Sequence, residues 1–242
     1  MTQICKMQQD TAPFTGSLSR LFYIPYRLQS YFWLVQKKEM QKTITNYLNE
    51  RSMTADQALD ALIKGNNRYV KGKLKHPHTD SEHRASLQDG QNPFAVVLSC
   101  ADSRVVPELL FDQGLGDLFV IRVAGNIAKE KVLGSIEYAV KFLGSKLVVV
   151  LGHENCGAVK ASLGTEDPGG HIGKIIEKIK PAVYMAKRMK GDLLKNSVQN
   201  NAHMVAEEIK ESQPILANAI STGGLKVVPA YYELSTGKVI FL

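Results

Sequence analysis

Phe94-Ala-Val-Val-Leu-Ser-Cys-Ala-Asp-Ser-Arg104 runs from a short apolar, β-branched stretch straight into a cysteine followed by an acid and a base. The apolar part, Phe94 to Leu98, has the length and composition of a strand buried on both faces, as in a parallel sheet. A second run of this kind, Lys146-Leu-Val-Val-Val-Leu151, leads into Gly152-His-Glu-Asn-Cys156. Each set of reactive side chains is expected just past a strand, at the carboxyl edge where open α/β sheets bind their ligands. Cys100, His153 and Cys156 can converge there despite their separation in sequence.

Outward from these runs, helix and strand signals alternate. Thr54 with Gln57 three residues on marks a helix start, and Ala58, Leu59, Leu62, Ile63 and Tyr69 follow at helical spacing. His76-Pro-His-Thr-Asp80 reads as a polar loop, and its two histidines have no further cysteine or carboxylate at ligand spacing to make a metal site. Pro107 opens a helix, Gly114 to Asp117 turns into a strand at Leu118 to Arg122, and Gly134 to Leu143 reads as a helix. Cys156 to Leu163 reads as another. Gly169-Gly170 opens a mainly helical region through about Ser221. Val227 to Phe241 reads as a hairpin turning near Thr236-Gly237, with Pro229 placing it at a sheet edge. The alternation predicts an α/β fold: a parallel sheet with flanking helices, an N-terminal helical arm and a C-terminal β-hairpin.

A chain of 242 residues with 44% hydrophobic content can bury a full core. The expected division is an extension at 1–53 and one catalytic domain at 54–242. Of the net charge of +7, residues 1–53 hold seven Lys/Arg against three Asp/Glu, leaving +3 for the rest, where both signs are interspersed. That distribution, with no recognition motif, argues against nucleic-acid binding. Three cysteines, two of them beside the reactive motifs, imply no disulfide framework and a reducing compartment, so a cytoplasmic location is expected. Leu18 to Val35 is aromatic and apolar but broken by Arg20, Pro25, Arg27 and Gln29, too interrupted for a membrane span. The extension reads first as an untranslated or disordered leader, then as a partner-wrapping helix, then as a transit peptide, which would make the protein organellar.

Two thiols and one imidazole form a three-ligand set of the kind that catalytic zinc uses, with its fourth position left for water or substrate. Two thiolates cancel the formal charge of Zn²⁺, so this shell acidifies water less than neutral imidazoles would. Asp102 is then the natural acceptor for that water's proton or hydrogen bond. Arg104 can hold the carboxylate ionised and aimed.

In order along the chain, Cys100-Ala-Asp-Ser-Arg104, Gly116-Asp-Leu-Phe119, Ala124-Gly-Asn126, Gly134-Ser-Ile-Glu-Tyr138 and Gly152-His-Glu-Asn-Cys-Gly157 resemble the β-class carbonic anhydrases. The resemblance covers Thr54 to Leu242. It implies an enzyme with one Zn²⁺ per subunit, held by Cys100, His153 and Cys156, that interconverts carbon dioxide and bicarbonate. Members with an open site use a Gln in a Gly-Gln-x-Pro context, here Gln91. The resemblance also implies a pocket walled by Phe119 and Tyr138, with Ala124 where a larger aliphatic residue often sits and Gly157 just after the last ligand. It further implies a homo-oligomer, dimer or tetramer, whose active site lies at the subunit interface, with Gln91 and Tyr138 contributed by the partner. In the family the Asp of Asp102-x-Arg104 is seen either paired with Arg, the active state, or swung onto zinc. A bicarbonate-regulated subgroup carries Trp three residues before the first Cys, where this chain has Val97, which favours the open, unregulated type.

Two alternatives share the motifs. One is a related zinc hydrolase acting on carbon disulfide or carbonyl sulfide. The other is a zinc-containing interaction module without turnover.

Overall fold

The computed structural model describes residues 53–166 and 168–242, so the readings of the leader lie outside the described residues. Helix α1 (Ala55–Val70) begins at the expected cap: Gln57 N–H donates to Thr54 Oγ1 at 3.2 Å and Thr54 N–H to Gln57 Oε1 at 2.8 Å. This reciprocal pair satisfies two of the donors that a helix start leaves free. Short helix α2 (Ser81–Ser86) follows, capped by Asp80.

Five strands make one sheet: β1 (Ala95–Ser99), β2 (Leu118–Arg122), β3 (Leu147–His153), β4 (Lys226–Tyr232) and β5 (Val239–Phe241), in the order β2-β1-β3-β4-β5. The first four are mutually parallel and β5 closes one edge antiparallel to β4. Helices α3 (Pro107–Leu110), α4 (Glu130–Leu143), α5 (Gly157–Ser162), α6 (Gly170–Ala186), α7 (Leu193–Glu211) and α8 (Ile215–Ser221) complete the domain.

The continuous apolar strands divide their side chains by alternation. Ala95, Val97, Leu147, Val149 and Leu151 pack with Ala58 and Leu62 of α1 and with Leu110 and Phe111 on one face. Val96, Leu98, Val148 and Val150 pack with Ile136 and Ala139 of α4, Ala202, Val205 and Ile209 of α7, and Leu216 of α8 on the other. Both faces are covered, which is why these strands read as unbroken runs.

Several boundaries differ from the sequence reading. Both buried strands run later than their apolar runs, so His153 is the last residue of β3 rather than a residue beyond it. Helix α4 begins at Glu130, four residues before Gly134. The terminal hairpin does lie at a sheet edge as expected, β5 being the edge strand, while Pro229 itself sits one strand in, on β4. Its carbonyl accepts from Leu242 N–H at 3.0 Å, so its missing donor faces the β5 side at the chain's end, and the ladder to β3 loses nothing. His76 and His78 sit in a loop with positive φ (49° and 55°); His78 Nδ1 pairs with Asp117 at 2.8 Å and its ring stacks on His83.

Buried polar side chains tie α1 to the rest. Asn66 Nδ2 donates to Leu110 O and Gly237 O, while its Oδ1 accepts from Val239 N–H, joining α1, α3 and the terminal hairpin. The Asp112 carboxylate takes an ion pair from Arg68 and backbone N–H groups of Lys75 and His76 at 3.0 Å. Burial alone would raise its pKa, but these donors outweigh burial and hold the carboxyl below its usual range.

Asp112→Asn is expected to destabilise the fold by about 2–3 kcal/mol, below the 3–5 typical of a fully buried pair, because the Arg68 side chain is 27% exposed and can reach water. Asn tolerates the left-handed φ of 47° as Asp does, so backbone strain does not confuse the comparison. A carboxylate whose folded pKa is depressed contributes stability above its unfolded pKa, about 3.9, and that contribution fades as pH falls through the folded value. Urea midpoints of the two proteins should therefore differ most above about pH 4 and converge in stronger acid. A gap that is constant with pH would contradict this account.

Candidate metal centre

The parallel register pairs Ser99 of β1 with both Arg122 of β2 and Leu151 of β3, so three strands end side by side. Cys100 leaves β1 at that edge and His153 ends β3 beside it. Asn155, with φ of 55°, turns the chain so that Cys156 becomes the residue capping α5. All three side chains are buried, their ligand atoms lie within 4.8 Å of one another, and the two sulfurs are 4.0 Å apart. Among the described residues this is the one such grouping of His, Cys, Asp or Glu.

The donor atoms fit zinc. The contact of His153 Nδ1 with Glu154 O, 2.9 Å, assigns the ring proton to Nδ1. Nε2 is then a bare lone pair, buried, with no hydrogen-bond partner among the described residues. Its nearest acid, Asp102 Oδ2, is 3.9 Å away, beyond hydrogen-bond reach. Two sulfurs bound tetrahedrally to one zinc at about 2.3 Å would stand about 3.8 Å apart, close to the separation seen here.

Electrostatics favour thiolate at Cys100. The Cys156 thiol bonding to it and the N–H groups of Gly125 and Asp102 pull the Cys100 pKa down against the opposing effect of burial. The same sulfur–sulfur contact and burial push Cys156 upward, opposed by the N–H groups of Val159 and Ala158 at the start of α5.

Asp102 and Arg104 form a bidentate pair, Nε to Oδ1 at 2.9 Å and a terminal guanidinium nitrogen to Oδ2 at 2.8 Å, and the Arg104 backbone N–H adds a third bond to Oδ1 at 3.0 Å. The guanidinium holds the Asp102 carboxyl well below the usual carboxylate range. Asp102 is therefore turned to Arg104, with Oδ2 the oxygen nearer the ligands. Sequence reasoning missed Arg122. Its Nε donates to Cys100 O at 3.2 Å and its terminal nitrogen to Asp102 O at 2.7 Å, bracing the loop that carries both residues. A charged residue ending a strand at the ligand edge was the available signal.

The remaining expected residues divide. Phe119 is half-buried on β2 with its ring 6.4 Å from that of Tyr138, and Tyr138 is 48% exposed on α4, next to exposed Phe142. Ala124 opens the short turn Ala124–Asn126 and Gly157 opens α5, with free space where a Cβ would stand. Gln91 is exposed and lines a shallow depression with Leu87, Leu115 and Gly116. Among the described residues no hydrogen bond or ring contact joins Gln91 or Tyr138 to the three ligands.

Residues 95–239 match the carbonic anhydrase family profile. The chain belongs to the β-class carbonic anhydrase family. It is 41% identical over 187 residues to carbonic anhydrase 2 of Mycobacterium tuberculosis, covering 76% of this chain and 90% of the relative. It is 40% identical over 186 residues to the carbonic anhydrase of Mycolicibacterium smegmatis, covering 75% and 90%. In three dimensions it is similar to the Coccomyxa β-carbonic anhydrase solved with acetazolamide, at 29% identity and a TM-score of 0.62, covering 76% of this chain and 86% of that one. The tetrameric β-carbonic anhydrases of Sordaria macrospora share the fold, at 24% identity, a TM-score of 0.62 and coverage of 74% and 93%. The β-class are zinc enzymes, and Cys100, His153 and Cys156 are positioned to hold the ion.

Proposed function

We infer that the chain is a carbonic anhydrase, catalysing the zinc-dependent, reversible hydration of carbon dioxide to bicarbonate and a proton. The observation that carries this reading is the buried Cys100–His153–Cys156 triangle, with the bare Nε2 of His153 facing inward and Asp102 locked to Arg104 beside it. Cys100 Sγ, Cys156 Sγ and His153 Nε2 would hold the ion. When bound, zinc supplies the Lewis acidity that makes water a nucleophile near neutral pH.

The protein's part is orientation and placement. Asp102 Oδ2 accepts a hydrogen bond from the attacking water and orients it, and Arg104 keeps that oxygen ionised and prevents the carboxylate from turning onto the ligands. Arg122 fixes the backbone on which Asp102 rides. Phe119, Ala124, Gly157 and Tyr138 form a small apolar pocket suited to a small neutral substrate, and the Gln91 amide donates to an oxygen of the developing bicarbonate. The exposure of Gln91 and Tyr138 on the single chain supports their service to a neighbouring subunit's site, in a homodimer or tetramer. Residues 54–242 would form the catalytic domain. No described helix is long and apolar enough to cross a membrane, and we favour a cytoplasmic location.

Stopped-flow hydration of carbon dioxide by the zinc-loaded protein tests the reading. Turnover far above buffer is expected; a fully metallated protein that leaves carbon dioxide untouched but hydrolyses carbon disulfide or carbonyl sulfide would replace it, and inertness toward all three would leave a non-catalytic module.

A further inference from the structure

Asn201 lies in α7 at 2% exposure, with apolar Val198, Ala202 and Val205 as its buried neighbours on that helix. A polar amide at such a position is costly unless bonded. Its Nδ2 donates to the Gly125 carbonyl at 2.9 Å. Gly125 in turn donates its N–H to Cys100 Sγ at 3.3 Å. Gly125 takes a left-handed conformation, φ 71° and ψ 17°, and a Cβ there would stand 2.6 Å from Ile179 Cδ1 and 3.2 Å from Ala158 Cβ. The carbonyl and the N–H belong to one residue, so at these dihedrals holding the carbonyl orients the N–H.

We propose that Asn201 is a positioning residue of the metal centre: it aims the Gly125 N–H at Cys100 Sγ and so limits how much charge that thiolate gives to the ion. The proposal rests on the zinc-enzyme reading of the site. Two thiolates together neutralise the charge of a divalent ion, which weakens its hold on a water proton. A hydrogen bond to sulfur draws density back from the metal, so Asn201 acts on the ion through Gly125 and Cys100 without touching it.

The test uses the cobalt(II)-substituted full chain, whose thiolate-to-metal charge-transfer band reads electron density at sulfur. In Asn201→Leu, of similar volume but without a donor, the band is expected at lower energy than in wild type. Hydration by the zinc form should fall about 10- to 100-fold with zinc content unchanged. An unmoved band in the folded variant, whatever the rate, would reduce Asn201 to a structural amide and overturn the proposal. If Asn201→Leu does not fold, Asn201→Asp, which places an acceptor against the Gly125 carbonyl, should move the band the same way. The wild type also decides by itself: with cadmium-113 in the site, a through-hydrogen-bond coupling to the Gly125 amide proton is expected, and its absence sinks the N–H to sulfur link. Failure of the functional reading is separable, since a wild type that does not hydrate carbon dioxide would still show or lack the band shift and the coupling.

Discussion

Cys100→Ser is expected to empty the metal site and take carbon dioxide hydration down to background, a loss on the order of 10³-fold or more. Serine keeps the shape of the side chain but replaces a thiol whose pKa is drawn down with a hydroxyl that stays protonated and is a harder, weaker zinc ligand. Its shorter bond also withdraws the donor from a triangle whose atoms are already spaced for one ion. Cys156 and His153 alone make a two-ligand site. Zinc measured after exposure to a mild chelator should fall from near one per chain to near none, in parallel with activity. A variant that keeps both its zinc and its turnover would remove Cys100 from the ligand set.

Asp102→Asn should separate chemistry from metal binding. Asp102 is not one of the three ligands, its oxygen standing 3.9 Å from His153 Nε2, so zinc content should not change. The rate of hydration should drop by about 10²- to 10⁴-fold, the usual worth of a positioned side chain acting on the reacting group. Asparagine can keep one oxygen toward Arg104, but it carries no negative charge with which to hold and orient the attacking water. The fold should hardly notice, because the Arg104 side chain is 52% exposed and ion pairs open to solvent contribute little to stability. Equal loss of zinc and rate would mean that Asp102 shapes the site and does not act in the reaction. Undiminished activity would remove it from the mechanism.

Much of this was legible from residue order. Phe94 to Leu98 and Lys146 to Leu151 announce buried parallel strands because unbroken β-branched runs fit a sheet covered on both faces. That alone brings Cys100 to His153. Thr54 and Gln57 cap a helix through short-range bonds that sequence spacing describes completely. What could not be read depends on contacts between distant elements. Asn201 looks like any polar residue in a helix until α7 lies over the end of β3, and Arg122 shows its role only when the register sets it opposite Ser99. Asp112 likewise reads as a loop acid, yet its partners lie near α1 and the loop beyond it, 36 to 44 residues away. Pro229 was legible for a local reason: the rule that keeps proline near sheet edges places its hairpin there, and β5 closes that edge.

The bare His153 nitrogen also bears on how much of this protein a cell keeps. Without an ion, the folded chain retains an unsatisfied polar atom in its core. An ion that binds only the native state adds stability by mass action, about 4 kcal/mol when its free concentration is a thousand times its dissociation constant. Metal supply therefore acts on the lifetime of the chain as well as on its turnover. Under zinc restriction the protein should melt at lower temperature and be degraded faster, with Cys100→Ser short-lived whatever the zinc level. Equal lifetimes of wild type in replete and restricted cells would show that the empty fold stands unaided.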